Sequence, residues 1–141
     1  MNDTTRNAAD LAGRILLASL FLITGLGKIA SFTGTQAYMA AAGVPGELLP
    51  LVIALEIGGG LALIAGYRTR LVATALAVFT VIAGAVFHAG HADQMQQLMF
   101  MKNLAIAGGF LVLAARGAGA WSIDARRAQL THPGEFVRGP A

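Results

Sequence analysis

Four long apolar stretches dominate the chain and leave few folds open to it. They run from about Leu11 to Ala30, Leu48 to Gly66, Leu71 to His88 and Leu98 to Ala115. Each approaches the ~20 residues that span ~30 Å of hydrocarbon at 1.5 Å per residue. In a bilayer core there is no water to bond a bare amide, so a spanning segment must satisfy its own backbone, as an α-helix does. The expected fold is therefore all-α, an integral membrane four-helix antiparallel bundle.

A soluble bundle of this size would need polar outer faces. Hydrophobic residues make up 56% of the 141 and charged residues only 12%, about half the charged share of a soluble domain. The mean hydropathy of +0.67 agrees. The partner implied for the outer faces is the lipid bilayer. A net charge of +3 raises the question of nucleic acid. The basic residues sit at the ends of apolar runs and form no stripe interleaved with aromatics, so no nucleic-acid partner is expected. The chain has no cysteine, hence no disulfide, no thiolate metal site and no dithiol chemistry. The first stretch has the early Arg6 and apolar core of a secretory leader. Arg14 and Lys28 interrupt it and no small-x-small cleavage site follows, so it is expected to remain as a span.

The connections differ. Ser31 to Glu47 reads as a short amphipathic piece, Thr35 to Ala42, closed by Gly43-Val44-Pro45-Gly46, with Phe32, Tyr38 and Met39 suited to an interface. Only Tyr67-Arg68-Thr69-Arg70 joins the second and third stretches, which makes them antiparallel neighbours. Ala89 to Gln97 forms a polar loop. The organisation expected is a cytoplasmic N-terminus over 1–10, the four-helix domain over 11–116 and a cytoplasmic tail over 117–141, disordered toward its end. With the N-terminus inside, eight of the ten basic residues fall on the inner side and only Lys28 and Lys102 on the outer. The positive-inside rule therefore places both termini in the cytoplasm.

Under that orientation, Lys28, Glu56, His88, Lys102 and Asn103 all fall in the outer half of the bilayer. Helices of alternating direction deliver their polar groups to one depth. The faces agree: Glu56 lies three, four and seven residues before Gly59, Gly60 and Leu63, and small residues let spanning helices approach closely. An unpaired Asp, Lys or Arg at the bilayer centre costs about 2.5 to 3.5 kcal/mol. Glu56 must then be paired with Lys28 or Lys102, be protonated, or meet a wet cavity. Taken singly, each residue has a plainer reading. Lys28 could snorkel to the headgroups, Glu56 with one lysine could be a structural tie, and His88 could be a solvated loop end. Together at one depth they point to a binding pocket.

Other motifs carry less. His88-x-x-His91-x-Asp93 holds metal-ligand types, but Gly90 intervenes where the segment leaves its helix, so no metal is expected. Thr24-Gly25-Leu26-Gly27-Lys28 fails as a phosphate loop, because Leu22 stands where the first glycine would be and Ile29 follows the lysine. Gly58-Gly59-Gly60 lies inside an apolar helix and reads as close packing. His88 and His91 are too near each other to hold a haem between facing helices.

Arg14-Ile-Leu-Leu-Ala-Ser-Leu-Phe-Leu-Ile-Thr-Gly-Leu-Gly-Lys28 resembles the first helix of DoxX family membrane proteins. So do Ala42-Gly43-Val44-Pro45 in the first loop, Leu55-Glu56-Ile57-Gly58-Gly59-Gly60 through Gly66-Tyr67-Arg68-Thr69-Arg70, Phe87-His88, Lys102-Asn103-Leu104-Ala105-Ile106-Ala107-Gly108-Gly109 and Trp121-Ser122-Ile123-Asp124. The resemblance spans about residues 11 to 125. It implies a four-helix protein of the bacterial inner membrane. The family takes its name from a subunit associated with a thiosulfate:quinone oxidoreductase, and other members are linked to oxidative-stress complexes. The residues matching its polar pattern are Lys28, Glu56, His88, Lys102 and Asn103. The function expected is a quinone-linked redox component, a membrane oxidoreductase subunit in which Glu56 and Lys102 act in catalysis. Lys28, His88 and Asn103 would hold the ligand, with a quinone as cofactor. The alternatives are a non-enzymatic subunit or assembly factor with a protein partner or a second copy, contacting it through Tyr38 and Met39, and a small-solute transporter.

Overall fold

The computed structural model of the chain describes residues 2–90 and 92–131. The described residues are all-α. In order they form α1 (Asp3–Ala30), α2 (Phe32–Ala41), a 3₁₀ turn (Gly46–Leu48), α3 (Leu49–Ala65), α4 (Thr69–His88), α5 (Gln94–Arg116) and α6 (Ile123–Thr131). Four segments are long and apolar enough to span a membrane: α1, the 3₁₀ turn with α3, α4 and α5.

Hydropathy marks the lipid-embedded part of a helix, whereas capping marks its end. Asn2 caps α1 by accepting the Thr5 N–H on its side-chain oxygen at 2.8 Å, and Asp3 meets the positive end of the helix dipole. α1 therefore begins two turns before the apolar run does. Its 28 residues extend about 42 Å, more than a bilayer core. Asp93 caps α5 in the same way, accepting the Gln96 N–H at 3.1 Å, so the expected polar loop is partly helix. α2 is not amphipathic as the sequence suggested. Its apolar side chains are spread around the helix rather than gathered on one face.

The four spans close a ring in the order α1, α3, α4, α5, and every neighbour is antiparallel. α1 packs chiefly on α3 and α4 on α5. The α3–α4 contact joins these pairs, and the α1–α5 seam is thin. Glycines set the close approaches. A Cβ on Gly60 would stand 2.9 Å from Leu22 Cδ2, and one on Gly84 would stand 2.9 Å from Asn103 Cβ. The glycine run of α3 divides: Gly59 and Gly60 pack inward, while Gly58 faces open space and contributes no packing. The solid core lies in the half of the bundle that holds Arg14, built on Phe21, Leu63, Leu76 and Phe110 with Ala18 and Ala73. Outside it, Leu16 is 72% exposed, Ile23 69% and Leu51 68%. Large apolar side chains in such numbers cannot face water. They face acyl chains, and the protein is embedded in the bilayer.

The Arg14 end is locked. Arg14 is 1% exposed. Its Nη1 donates to the carbonyls of Leu63 at 3.1 Å and Ile64 at 3.2 Å, and Nη2 donates to Trp121 O at 2.5 Å. It thus adds a second donor to Leu63 O, which also accepts the Gly66 N–H at 3.1 Å, and supplies one to Ile64 O at the end of α3. Gly66 ends α3 with φ +66°, and a Cβ there would strike Arg14 Nη1 and Ser122 Cβ. Asp124 then accepts the N–H of Arg68 and of Thr69, each at 2.8 Å, and donates its own N–H to Gly66 O at 2.9 Å. These bonds hold Arg68 at φ +45°, a left-handed conformation that a side chain disfavours. The segment through Asp124 is thus part of the bundle and no free tail. Burial alone would raise the Asp124 carboxyl, but the N–H groups of Thr69 and Arg68 and the charge of Arg127 outweigh it. The group lies below the ordinary carboxylate range. The disorder expected toward the C-terminus and the second histidine, His91, lie outside the described residues.

Candidate functional site

At the opposite end the bundle is hollow. A cavity of about 400 Å³ opens among all four spans and α2, and Lys28, Glu56, His88, Lys102 and Asn103 all line it. Opposite running directions bring them together. Lys28 and His88 close the ends of α1 and α4, while Glu56, Lys102 and Asn103 lie early in α3 and α5.

Glu56 is 3% exposed. Lys28 Nζ donates to both of its carboxylate oxygens at 2.9 Å. Of the two lysines that could have partnered it, Lys28 does. The approach of α3 to α1 depends on Gly25, where a Cβ would stand 2.8 Å from Ile57 Cγ1 and 3.3 Å from Glu56 Cβ. Lys102 sits at the exposed rim, 3.8 Å from Met99 Sδ, and among the described residues it forms no ion pair. Asn103 donates from Nδ2 to Met99 O at 3.1 Å, which leaves its Oδ1 and a second N–H. His88 Nδ1 lies 2.7 Å from Gln96 Oε1. In this amide orientation Nδ1 carries the proton, and Nε2 remains an acceptor.

Aromatic rings bound the space. Phe21 and Phe79 line the cavity and meet edge-on at 6.4 Å between ring centroids, and Phe21 packs at 5.3 Å on Phe110 of the core behind them. At the mouth, Tyr38 of α2 stacks on Phe87 at 5.1 Å. Met39, expected at an outer contact surface, is only 4% exposed and turns into the cavity. The sequence reading missed this aromatic frame, together with Gln96 as the partner of His88. The signal for Gln96 was Asp93, a residue type that starts a helix and so sets the first turn of α5 beside the end of α4.

Chemically, the Lys28–Glu56 pair is internally neutral, and Lys102 carries a charge that no neighbour offsets. At the rim of the cavity such a cation attracts an electron-rich oxygen or an anion. Among the described residues no group of three His, Asp or Glu side chains could hold a metal ion.

Residues 9–89 match the DoxX family model, a span holding Lys28, Glu56 and His88 but not the α5 residues. The chain is 54% identical over 114 residues to inner membrane protein YqjF of Escherichia coli (strain K12), covering 81% of this chain and 88% of that protein. It is 35% identical over 123 residues to inner membrane protein YphA of the same organism, covering 82% of this chain and 88% of the other. No solved structure matches.

Proposed function

Because the chain belongs to the DoxX family, we propose that it is a quinone-linked redox component of the inner membrane and that the cavity at the Lys28 end takes the quinone headgroup. One observation carries the reading: the cavity gathers Lys28, Glu56, His88, Lys102 and Asn103, with Thr24, Thr35 and Thr80, within a mostly apolar wall. A few polar groups in a mostly hydrophobic space suit an amphiphilic ring. The volume of about 400 Å³ is of the right order for a single-ring headgroup.

The residues present fit such a group. A bound quinone supplies two-electron, two-proton chemistry. Lys102 Nζ and the free N–H of Asn103 would donate hydrogen bonds to its carbonyl oxygens, and His88 Nε2 would accept one from a hydroxyl. Glu56 with Lys28 forms a carboxylate–ammonium pair at the cavity wall that holds or releases a proton near the ring. Phe21, Phe79 and Phe110 keep water from passing deeper. This closed end weighs against a solute-transport pathway. The bias of eight basic residues against two supports a mouth on the periplasmic side with both termini in the cytoplasm.

The test is purification of the protein in mild detergent, extraction of bound quinone, and assay of quinol-dependent electron transfer. Retained quinone that is lost in Lys102→Gln, with activity lowered in Glu56→Gln, supports the reading. A protein free of quinone whose activity is indifferent to Glu56→Gln removes it.

A further inference from the structure

A second, smaller cleft lies at the Arg14 end, on the thin seam between α1 and α5. It holds about 150 Å³. Its wall changes character with depth. Leu17, Gly109, Val112 and Leu113 line the part toward the bilayer core, and Asp10, Arg14 and Arg116 line the part toward the surface. Arg70 joins them from α4: a Cβ on Gly117, in the cleft wall, would stand 3.5 Å from Arg70 Nε. Two guanidinium groups, Arg14 and Arg116, thus line the cleft with the Asp10 carboxylate, Arg70 stands at its edge, and Asp124 acts on Arg14 from outside the lining. Asp10 is shared, with one of its oxygens 3.7 Å from Arg116.

Arg14 adds an independent observation. It is 1% exposed, its Nη atoms are committed to backbone carbonyls, and its Nε–H is buried without a partner. The positive charge of Arg14 therefore acts on the cleft from within its wall, while Arg70 and Arg116, both exposed, are the guanidinium groups that a ligand reaches directly. Guanidinium groups bind phosphate oxygens in paired, planar fashion.

We propose that this cleft binds the phosphate of an anionic phospholipid, with the glycerol and acyl chain rising along the apolar wall of the α1–α5 seam. The apolar-to-cationic gradient favours a lipid over a free ion. A free phosphate would make no use of Leu17, Val112 and Leu113. The site is remote from the Lys28 cavity and independent of any quinone.

The experiment places the full chain in nanodiscs of phosphatidylcholine with phosphatidylglycerol and counts retained lipids by native mass spectrometry. The protein should carry phosphatidylglycerol out preferentially. Arg70→Gln and Arg116→Gln should each lower retention about five-fold, the equivalent of ~1 kcal/mol per basic residue near a membrane surface. Both residues are exposed, so the variants should fold. Asp10→Asn removes the opposing carboxylate and should raise retention. Arg6→Gln, at the same end but outside the cleft, should leave it unchanged. Equal retention in the Arg70 and Arg116 variants, or an equal loss in Arg6→Gln, would overturn the site. So would inorganic phosphate raising the melting temperature in detergent as much as phosphatidylglycerol does, since that outcome assigns the cleft to a free anion.

Discussion

Replacing Lys28 by methionine keeps the length of the side chain and removes its charge, which leaves the carboxyl of Glu56 at 3% exposure with no cation. Removing one partner of a fully buried pair costs about 3 to 5 kcal/mol. The Lys28 side chain is 25% exposed and the cavity is open to one side, so about 2 to 3 kcal/mol is the expected loss. The reverse change is asymmetric. Glu56→Gln leaves a long lysine close to the mouth, free to carry its ammonium to the headgroups at a cost of about 0 to 1 kcal/mol. The double variant Lys28→Met/Glu56→Gln removes both charges and should fall within about 1 kcal/mol of the parent, because no buried charge is left unpaired. The cycle thus predicts a coupling near 2 kcal/mol. The assay is equilibrium unfolding in mixed micelles of mild detergent and dodecyl sulfate, followed by helicity. Equal losses in the two single variants, or a loss below about 0.5 kcal/mol in Lys28→Met, would refute a buried pair as the link between α1 and α3.

Three further outcomes follow from the structure and the sequence. Gly60→Ala should destabilise by about 1 to 3 kcal/mol, because its Cβ meets Leu22 and the Ala18 carbonyl at 2.9 and 3.3 Å. Gly58→Ala meets nothing and should stabilise by up to about 1 kcal/mol through helix propensity; both are read in the unfolding assay above. The Asp124 carboxyl lies below its ordinary value in the folded state. Its contribution is therefore complete above the unfolded value near 3.8 and lost as pH falls through the lower, folded one. The stability gap between the parent and Asp124→Asn should be constant near neutrality and close below about pH 4, as thermal melts across pH would register. The parent has no cysteine, so single cysteines report topology directly. A membrane-impermeant maleimide should label Tyr38→Cys in intact cells and Arg126→Cys only after lysis, and the opposite pattern would invert the orientation.

Much of this architecture was legible because lipid simplifies the code. Hydropathy located the four spans, and alternating direction then set Lys28, Glu56, His88, Lys102 and Asn103 at one depth without any knowledge of packing. Hydropathy is blind to what lies outside the bilayer, so the first two turns of α1, fixed by Asn2, and the first turn of α5, fixed by Asp93, escaped it. Arg14 was misjudged for a different reason. By position it is one more basic residue near a helix end, and only the left-handed Gly66 and the return of Trp121 turn it into a buried clamp. Those contacts join residues separated by 49 to 107 positions, which no local pattern encodes. The aromatic frame shares this limit, since a phenylalanine in an apolar helix looks the same whether it faces lipid or a cavity.

The most direct test of the central claim, that the hollow end of the bundle receives a quinone ring, is photolabelling with an azidoquinone in nanodiscs followed by peptide mapping. Adducts should be confined to the cavity-lining segments, Leu20 to Lys28 of α1, Thr35 to Met39 of α2, Val52 to Glu56 of α3, Phe79 to His88 of α4 and Met99 to Ile106 of α5, and be suppressed by excess unlabelled quinone. Adducts spread over lipid-facing residues such as Leu16, Leu51 and Leu111, with no suppression by the competitor, would contradict it.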